Sequence, residues 1–116
     1  MSDADSLREH PVLGVETRDS AVVVRLGGEL DLYNAGEVRA AIGSAAEGKP
    51  EYVVVDLSEV EFMDSTTLGV FVEAHNALPD GGLRLAAPQL ETRRALLVSG
   101  LDRRLNVYDT LSEALA

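Results

Sequence analysis

Residues 51–82 read EYVVVDLSEVEFMDSTTLGVFVEAHNALPDGG. The opening segment, Glu51 to Leu57, holds a continuous apolar run bounded by charge, the pattern of a strand buried on both faces. Glu61-Phe62-Met63-Asp64-Ser65 follows. The spacing then predicts a helix over about Ser65 to Leu78, because Leu68, Phe71, Val72, His75 and Leu78 fall on one stripe. Pro79-Asp80-Gly81-Gly82 ends it. A buried strand feeding an amphipathic helix is the repeating unit of α/β sheets.

Upstream, Val12 to Thr17 and Ala21 to Leu26 (AVVVRL) read as two strands around a turn at Arg18-Asp19-Ser20, a hairpin. Gly27-Gly28 breaks the second strand, and Glu29-Leu30-Asp31 leads onward. Asn34 with Glu37 three residues later fits a capping box. The Asn oxygen would accept an orphan backbone N–H and Glu37 would reach back to the cap. A helix is expected from about Ala35 to Glu47, with Val38, Ala41, Ile42 and Ala45 facing inward and Gly48 as its stop.

Downstream come a short strand at Leu83 to Ala86 and a helix at Leu90 to Val98, stopped by Ser99-Gly100. A strand at Leu105 to Tyr108 and a terminal helix at Leu111 to Leu115 complete the chain. The order predicts a single α/β domain. Its sheet should be mixed and mostly parallel, with an N-terminal hairpin and helices packed against it. Residues 1–10 are expected to be a flexible lead-in and residues 11–116 the domain.

Composition narrows the function. The chain has 116 residues, ten Lys or Arg against twenty Asp or Glu, a formal net charge of −10, no Cys, and a hydrophobic fraction of 46%. Such a chain makes one real core and is too apolar for a disordered acidic tail. No apolar run approaches the ~20 residues that span a bilayer, so membrane insertion is not expected. Met1 to His10 is polar and mixed in charge, unlike a signal peptide, and a cytoplasmic location is expected. An acidic surface repels phosphate backbones, so nucleic acid is not an expected partner. The absence of Cys excludes disulfides, thiolate zinc sites and Cys nucleophiles.

Enzyme motifs are missing too. The sequence has no GxxxxGK[ST], no GxGxxG and no GxSxG. Its histidines are His10 and His75, neither beside convergent ligands, so no metal, cofactor or catalytic residue is expected. Asp56, closing the VVVD run, could suggest a phosphoacceptor of the response-receiver type. That site also needs an acidic pair at the end of the first strand and a late basic residue. The pair is absent and the single Lys is Lys49. Asp56 therefore reads as an aspartate that ends a buried strand and caps the next turn.

The most informative segment is FMDSTTLGVF, Phe62 to Phe71. Asp-Ser-Thr-Thr is good N-cap chemistry, yet three consecutive hydroxyls exceed what a cap needs. A hydroxyl at a helix N-terminus tolerates a phosphate, because unpaired N–H groups and the positive end of the macrodipole face it. Phosphorylation would add about −1.5 to −2 charge there. On spacing alone, ordinary capping is the favoured reading.

FMDSTTLGV resembles the phosphorylation motif of STAS-domain anti-sigma factor antagonists, whose usual form is FMDSSGLGV or FMDSTGLGV. Gly28-Glu29-Leu30-Asp31 matches the family's GELD, and Ala35 its downstream Ala. EYVVVDL with Val60 matches the strand before the serine. Ala87-Pro88, Arg93-Arg94, Ser99-Gly100-Leu101 and Glu113-Ala114-Leu115 follow in order. The similarity spans about Val12 to Leu115, and such co-linear agreement reverses the preference for a plain cap.

The resemblance implies a STAS-type fold and a regulatory, non-enzymatic role. The unmodified antagonist would bind an anti-sigma factor, a serine kinase with a histidine-kinase-like ATPase fold that uses ATP and Mg²⁺, and so free the sigma factor. The kinase would then phosphorylate the motif serine and release the antagonist, and a PP2C-type phosphatase would reset it. Carried over residue by residue, the phosphoacceptor is Ser65, and the partner-facing set is Asp31, Asn34, Asp64, Ser65, Thr66, Thr67, Leu68 and Gly69. Thr67 departs from the family, which usually has Gly there, and would alter the close approach of a partner. It also makes Thr66 and Thr67 lesser candidate phosphoacceptors. A second departure is Thr92, where the family usually places an aliphatic residue. STAS domains also serve as scaffold or sensor parts and as accessory subunits of lipid transport complexes. The intact Asp-Ser favours the switch over those roles.

Overall fold

In the computed structural model, which describes residues 10–116, the fold is organised around β3 (Tyr52–Met63). The lead-in expected over residues 1–10 lies outside the described residues apart from His10. Val53, Val54, Val55, Asp56 and Leu57 are all buried, as an unbroken apolar run requires when both sheet faces are covered. β1 (Val12–Arg18) pairs antiparallel with β2 (Ala21–Leu30), forming the expected hairpin. β2 pairs parallel with β3, β3 with β4 (Leu83–Ala86), and β4 with β5 (Asn106–Tyr108). The sheet order is β1-β2-β3-β4-β5.

Parallel neighbours need crossovers, supplied by α1 (Ala35–Glu47), α2 (Ser65–Ala77) and α3 (Leu90–Val98). When strand order follows chain order, crossovers of one hand place their helices on one face. The main core has that composition. Val24, Leu26, Leu30, Val53, Val55, Leu57, Leu83 and Leu85 from the sheet meet Val38 and Ile42 of α1, Val70 and Phe71 of α2, and Leu96 of α3. The intervening sheet residues Val23, Val54 and Ala86 pack with Ala114 of α4 (Leu111–Leu115). The Arg84 guanidinium helps hold α4. It lies 3.7 Å from the Tyr52 ring centroid and donates from Nη1 to the Ala114 carbonyl at 2.7 Å. The Tyr52 hydroxyl donates to the Leu115 carbonyl at 3.0 Å. Cationic and polar donors thus meet the carbonyls that a helix leaves free at its C-terminal end.

Several local expectations change. Gly27-Gly28 does not break β2, which runs on to Leu30. A Cβ at Gly27 would come within 2.7 Å of Leu13 Cδ1, and Gly28 sits at φ 75°. The ladder passes the pair with register shifts between Arg25 and Gly27 and between Gly28 and Glu29, the extra residue of each falling on β3. β3 likewise continues beyond Leu57 to Met63, because the lengthened β2 gives it a partner up to Leu30. Asp56 consequently lies within the strand and not at its end. Its Oδ1 accepts the Ser58 N–H at 3.0 Å beside the first bulge, so its role stays structural.

The capping box at α1 does not form. Asn34 Oδ1 accepts the Asp31 N–H, and Asn34 Nδ2 donates to the Glu29 carbonyl, each at 2.9 Å. Asn34 is thereby spent on the loop before the helix. α1 does stop at Gly48, its C-cap, but φ there is −74° and the left-handed residue is Lys49 at φ 53°. An unanticipated 3₁₀ turn, Leu101–Arg103, follows Gly100 (φ 77°) and shortens β5 by one residue.

Phe71 is fully buried where α2 meets the main core. Phe71→Ala is expected to lower unfolding free energy by about 3–5 kcal/mol, since the core relaxes only partly around the cavity. Urea unfolding would show it as a lower midpoint with an unchanged slope.

Candidate functional site

The extended ends of β2 and β3 carry two segments to one place. Leu30 pairs with Met63, and the Asp64 N–H donates to the Leu30 carbonyl at 3.0 Å. Asp64 is the N-cap of α2, in extended conformation, and its Oδ1 accepts the N–H groups of Thr66 at 3.0 Å and Thr67 at 3.2 Å. The cap chemistry expected from Asp-Ser-Thr-Thr is therefore present and belongs to Asp64. Ser65 is the first helical residue, and Ser65 and Thr66 are exposed.

The loop 31–34 beside them is closed by its own hydrogen bonds. Asp31 Oδ1 accepts the Tyr33 N–H at 2.9 Å, and the Asp31 carbonyl accepts the N–H groups of Asn34 and Ala35. Asp31, Asn34, Asp64, Ser65 and Thr66 thus share one end of the molecule, and exposed Gly69 lies one helical turn further along α2.

Two residues of the expected partner-facing set turn away from that surface. Thr67 is fully buried and its Oγ1 has no hydrogen-bond partner, and Leu68 is only 8% exposed and part of the core. Thr67 precedes Phe71 by one turn, so it falls on the inward stripe of α2. Its β-branched side chain packs inside and does not stand in a partner's way, and its hydroxyl is inaccessible to a kinase in this conformation. Thr92 is buried as well, and its Oγ1 donates to the Gln89 carbonyl at 2.9 Å, which accommodates that departure. His75 is half-buried on α2, in keeping with a core-edge residue. Among the described residues, no group of three or more His, Cys, Asp or Glu could hold a metal ion.

Sequence reasoning missed three apolar residues at this end. Leu32 is 64% exposed, Tyr33 83% and Phe62 51%. A signal was available, because Leu32-Tyr33 stand between Asp31 and Asn34 with no helical or strand period to bury them.

The electrostatics are one-sided. Glu29, Asp31, Glu61 and Asp64 lie in the two segments that form this end. The sequence has no Lys or Arg between Arg25 and Arg39 or between Lys49 and Arg84. The amides of Thr66 and Thr67 in the first turn of α2 are occupied by the Asp64 carboxylate. A phosphate on Ser65 would therefore meet neither a vacant N–H pair at residues 66 and 67 nor a cation from these segments. That differs from the tolerance expected of an open helix N-terminus. Elsewhere, an apolar groove of about 230 Å³ lies between α1 and α2, with the Arg39–Glu73 ion pair (2.8 Å) among its lining residues.

Removing the unpartnered Thr67 hydroxyl while keeping its shape should stabilise the fold. Thr67→Val is expected to raise unfolding free energy by about 1 kcal/mol, the low end of the cost of burying an unpaired hydroxyl. The measurement is the urea midpoint against the wild type.

Comparison with known proteins agrees with the fold. The STAS domain family model matches residues 13–114. The anti-sigma-F factor antagonist RsfB of Mycobacterium tuberculosis is 31% identical over 116 residues, covering 99% of this chain and 92% of that protein. The crystal structure of an anti-sigma factor antagonist from Mycobacterium paratuberculosis superposes with a TM-score of 0.81 at 35% identity, covering 87% of each chain. SpoIIAA in its unphosphorylated form gives a TM-score of 0.68 at 26% identity, covering 88% of this chain and 91% of that one. The phosphorylated form of Bacillus SpoIIAA gives 0.60 at 28%, covering 88% and 95%. With the family model spanning residues 13–114 and RsfB matching over 99% of this chain, the chain belongs to the STAS-domain family of anti-sigma factor antagonists.

Proposed function

We propose that this protein is a phosphorylation-controlled binding module. Its unmodified form binds an anti-sigma factor serine kinase of histidine-kinase-like ATPase fold, and the bound sigma factor is released. The observation that carries this reading is Ser65: an exposed hydroxyl on the first residue of α2, in an acidic neighbourhood whose cap amides are already occupied. The names of the relatives, and a relative solved in both phosphorylation states, support it.

In the switching step, Ser65 Oγ attacks the γ-phosphorus of the kinase's ATP. The bond to the β–γ bridging oxygen breaks with ADP as the leaving group, which stays bound to the kinase, and the hydroxyl proton passes to a base of the kinase. The new phosphoryl group then faces the ADP left in the kinase, and the two cap amides cannot receive it without displacing Asp64. Charge repulsion and lost fit separate the proteins. A PP2C-type phosphatase hydrolyses the phosphoserine and restores the binding form. The role is a cytoplasmic one, exercised by binding and not by catalysis on this chain.

The test uses the histidine-kinase-like anti-sigma factors of the source genome, purified and incubated with this protein, ATP and Mg²⁺. Intact mass should show one added phosphate, absent in Ser65→Ala and retained in Thr66→Ala. Ser65→Asp should weaken kinase binding about tenfold or more, equivalent to about 1.4 kcal/mol. Unchanged affinity for Ser65→Asp would count against a charge-based release.

A further inference from the structure

We propose that Tyr33, flanked by Leu32 and Phe62, is the anchor by which the Ser65 end holds its partner, and that the partner offers there an apolar slot within a basic rim. The inference rests on the reading of Ser65 as the switch, and it assigns the affinity to residues outside the motif.

The chain has two Phe and three Tyr and no Trp. Phe71 is in the main core, and Tyr52 and Tyr108 pack beneath α4. The remaining two aromatics are both exposed at the Ser65 end, Tyr33 at 83% and Phe62 at 51%. The ladder brings their two segments to the same end. Phe62 pairs with Glu29, Met63 pairs with Leu30, and Asp31 to Asn34 follow at once. Large apolar side chains gathered on an otherwise acidic end mark a protein-binding surface.

Tyr33 is also presented from a fixed loop. Its N–H is held by Asp31 Oδ1, and Asn34 ties the loop to Asp31 and Glu29. A ring on a pre-formed loop loses little freedom on binding, since Tyr has only two side-chain torsions to fix. Binding energy concentrates in such aromatic anchors, while surrounding charges guide the encounter. The surrounding charges here are Glu29, Asp31, Glu61 and Asp64, with no intervening Lys or Arg in either segment. The complementary face is therefore basic. Tyr33 sets how long the complex lasts, and the acids set how fast it forms.

The experiment measures association and dissociation rates for wild type, Tyr33→Ala, Tyr33→Phe and Glu61→Gln. The probe is the histidine-kinase-like anti-sigma factor that phosphorylates Ser65, with intact-mass phosphorylation followed alongside. Tyr33→Ala should dissociate about tenfold faster or more, while its association rate stays within about twofold. Tyr33→Phe should retain the wild-type dissociation rate. Glu61→Gln should slow association and flatten its salt dependence. Thermal unfolding of Tyr33→Ala should match the wild type, because the ring is exposed and its N–H contact remains. Equal dissociation rates for Tyr33→Ala and wild type would overturn the anchor and leave the Ser65 switch standing. Failure of every such anti-sigma factor of the source genome to bind or phosphorylate the wild type would overturn the switch, and the anchor with it.

Discussion

The parallel pairing of β2 with β3 is the constraint on which the rest depends. It runs from Ala21 against Tyr52 up to Leu30 against Met63, beyond Asp56, where the pairing of β3 with β4 ends. A shared pair of long strands brings the loop after one and the helix start after the other to a common point. The Asp64 N–H on the Leu30 carbonyl closes that junction. Gly27 and Gly28 make it possible. One admits the Leu13 side chain where a Cβ would collide, and the other takes a backbone conformation that favours glycine. The bulges opposite them, on β3, interrupt the register without ending the ladder.

At the junction, Asp64 does two things at once. It satisfies the Thr66 and Thr67 amides of α2, which stabilises the helix start by about 1 kcal/mol on the usual scale for such caps. It also occupies the groups that would otherwise cradle an anion. The capping geometry that makes the serine well placed thus leaves added phosphate poorly compensated within this chain. The carboxylate that stabilises the helix start is thus the one a phosphate on Ser65 would have to displace from the Thr66 and Thr67 amides.

Much of this was legible beforehand. The strand and helix order, the hairpin and the α2 start at Ser65 follow from apolar period and turn residues, which act locally. The misreadings share a cause: a polar or glycine residue with two plausible local roles, one of them decided by tertiary neighbours. Asn34 has the chemistry of a cap, but the loop amide of Asp31 and the carbonyl of Glu29 claim it. Gly27-Gly28 has the look of a break, but a strand waits on the other side. Thr67 falls between a polar motif and an apolar stripe, and only the helix's rotation against Phe71 and the sheet decides which it joins. Leu32 and Tyr33 are marked in the sequence only by the lack of any period that would bury them, a weaker signal than the periodic stripes of the core.

The clamp of Arg84 and Tyr52 on α4 bears on how the molecule can be handled. It fixes the last carbonyls of the chain beside the start of β3, whereas Ser65 follows that strand's far end. A strand of this length separates the two by roughly 40 Å at full extension. A fluorophore, surface tether or fused reporter joined after Ala116 would therefore emerge at the opposite pole from the serine. The fold has, in effect, a handle and a working tip.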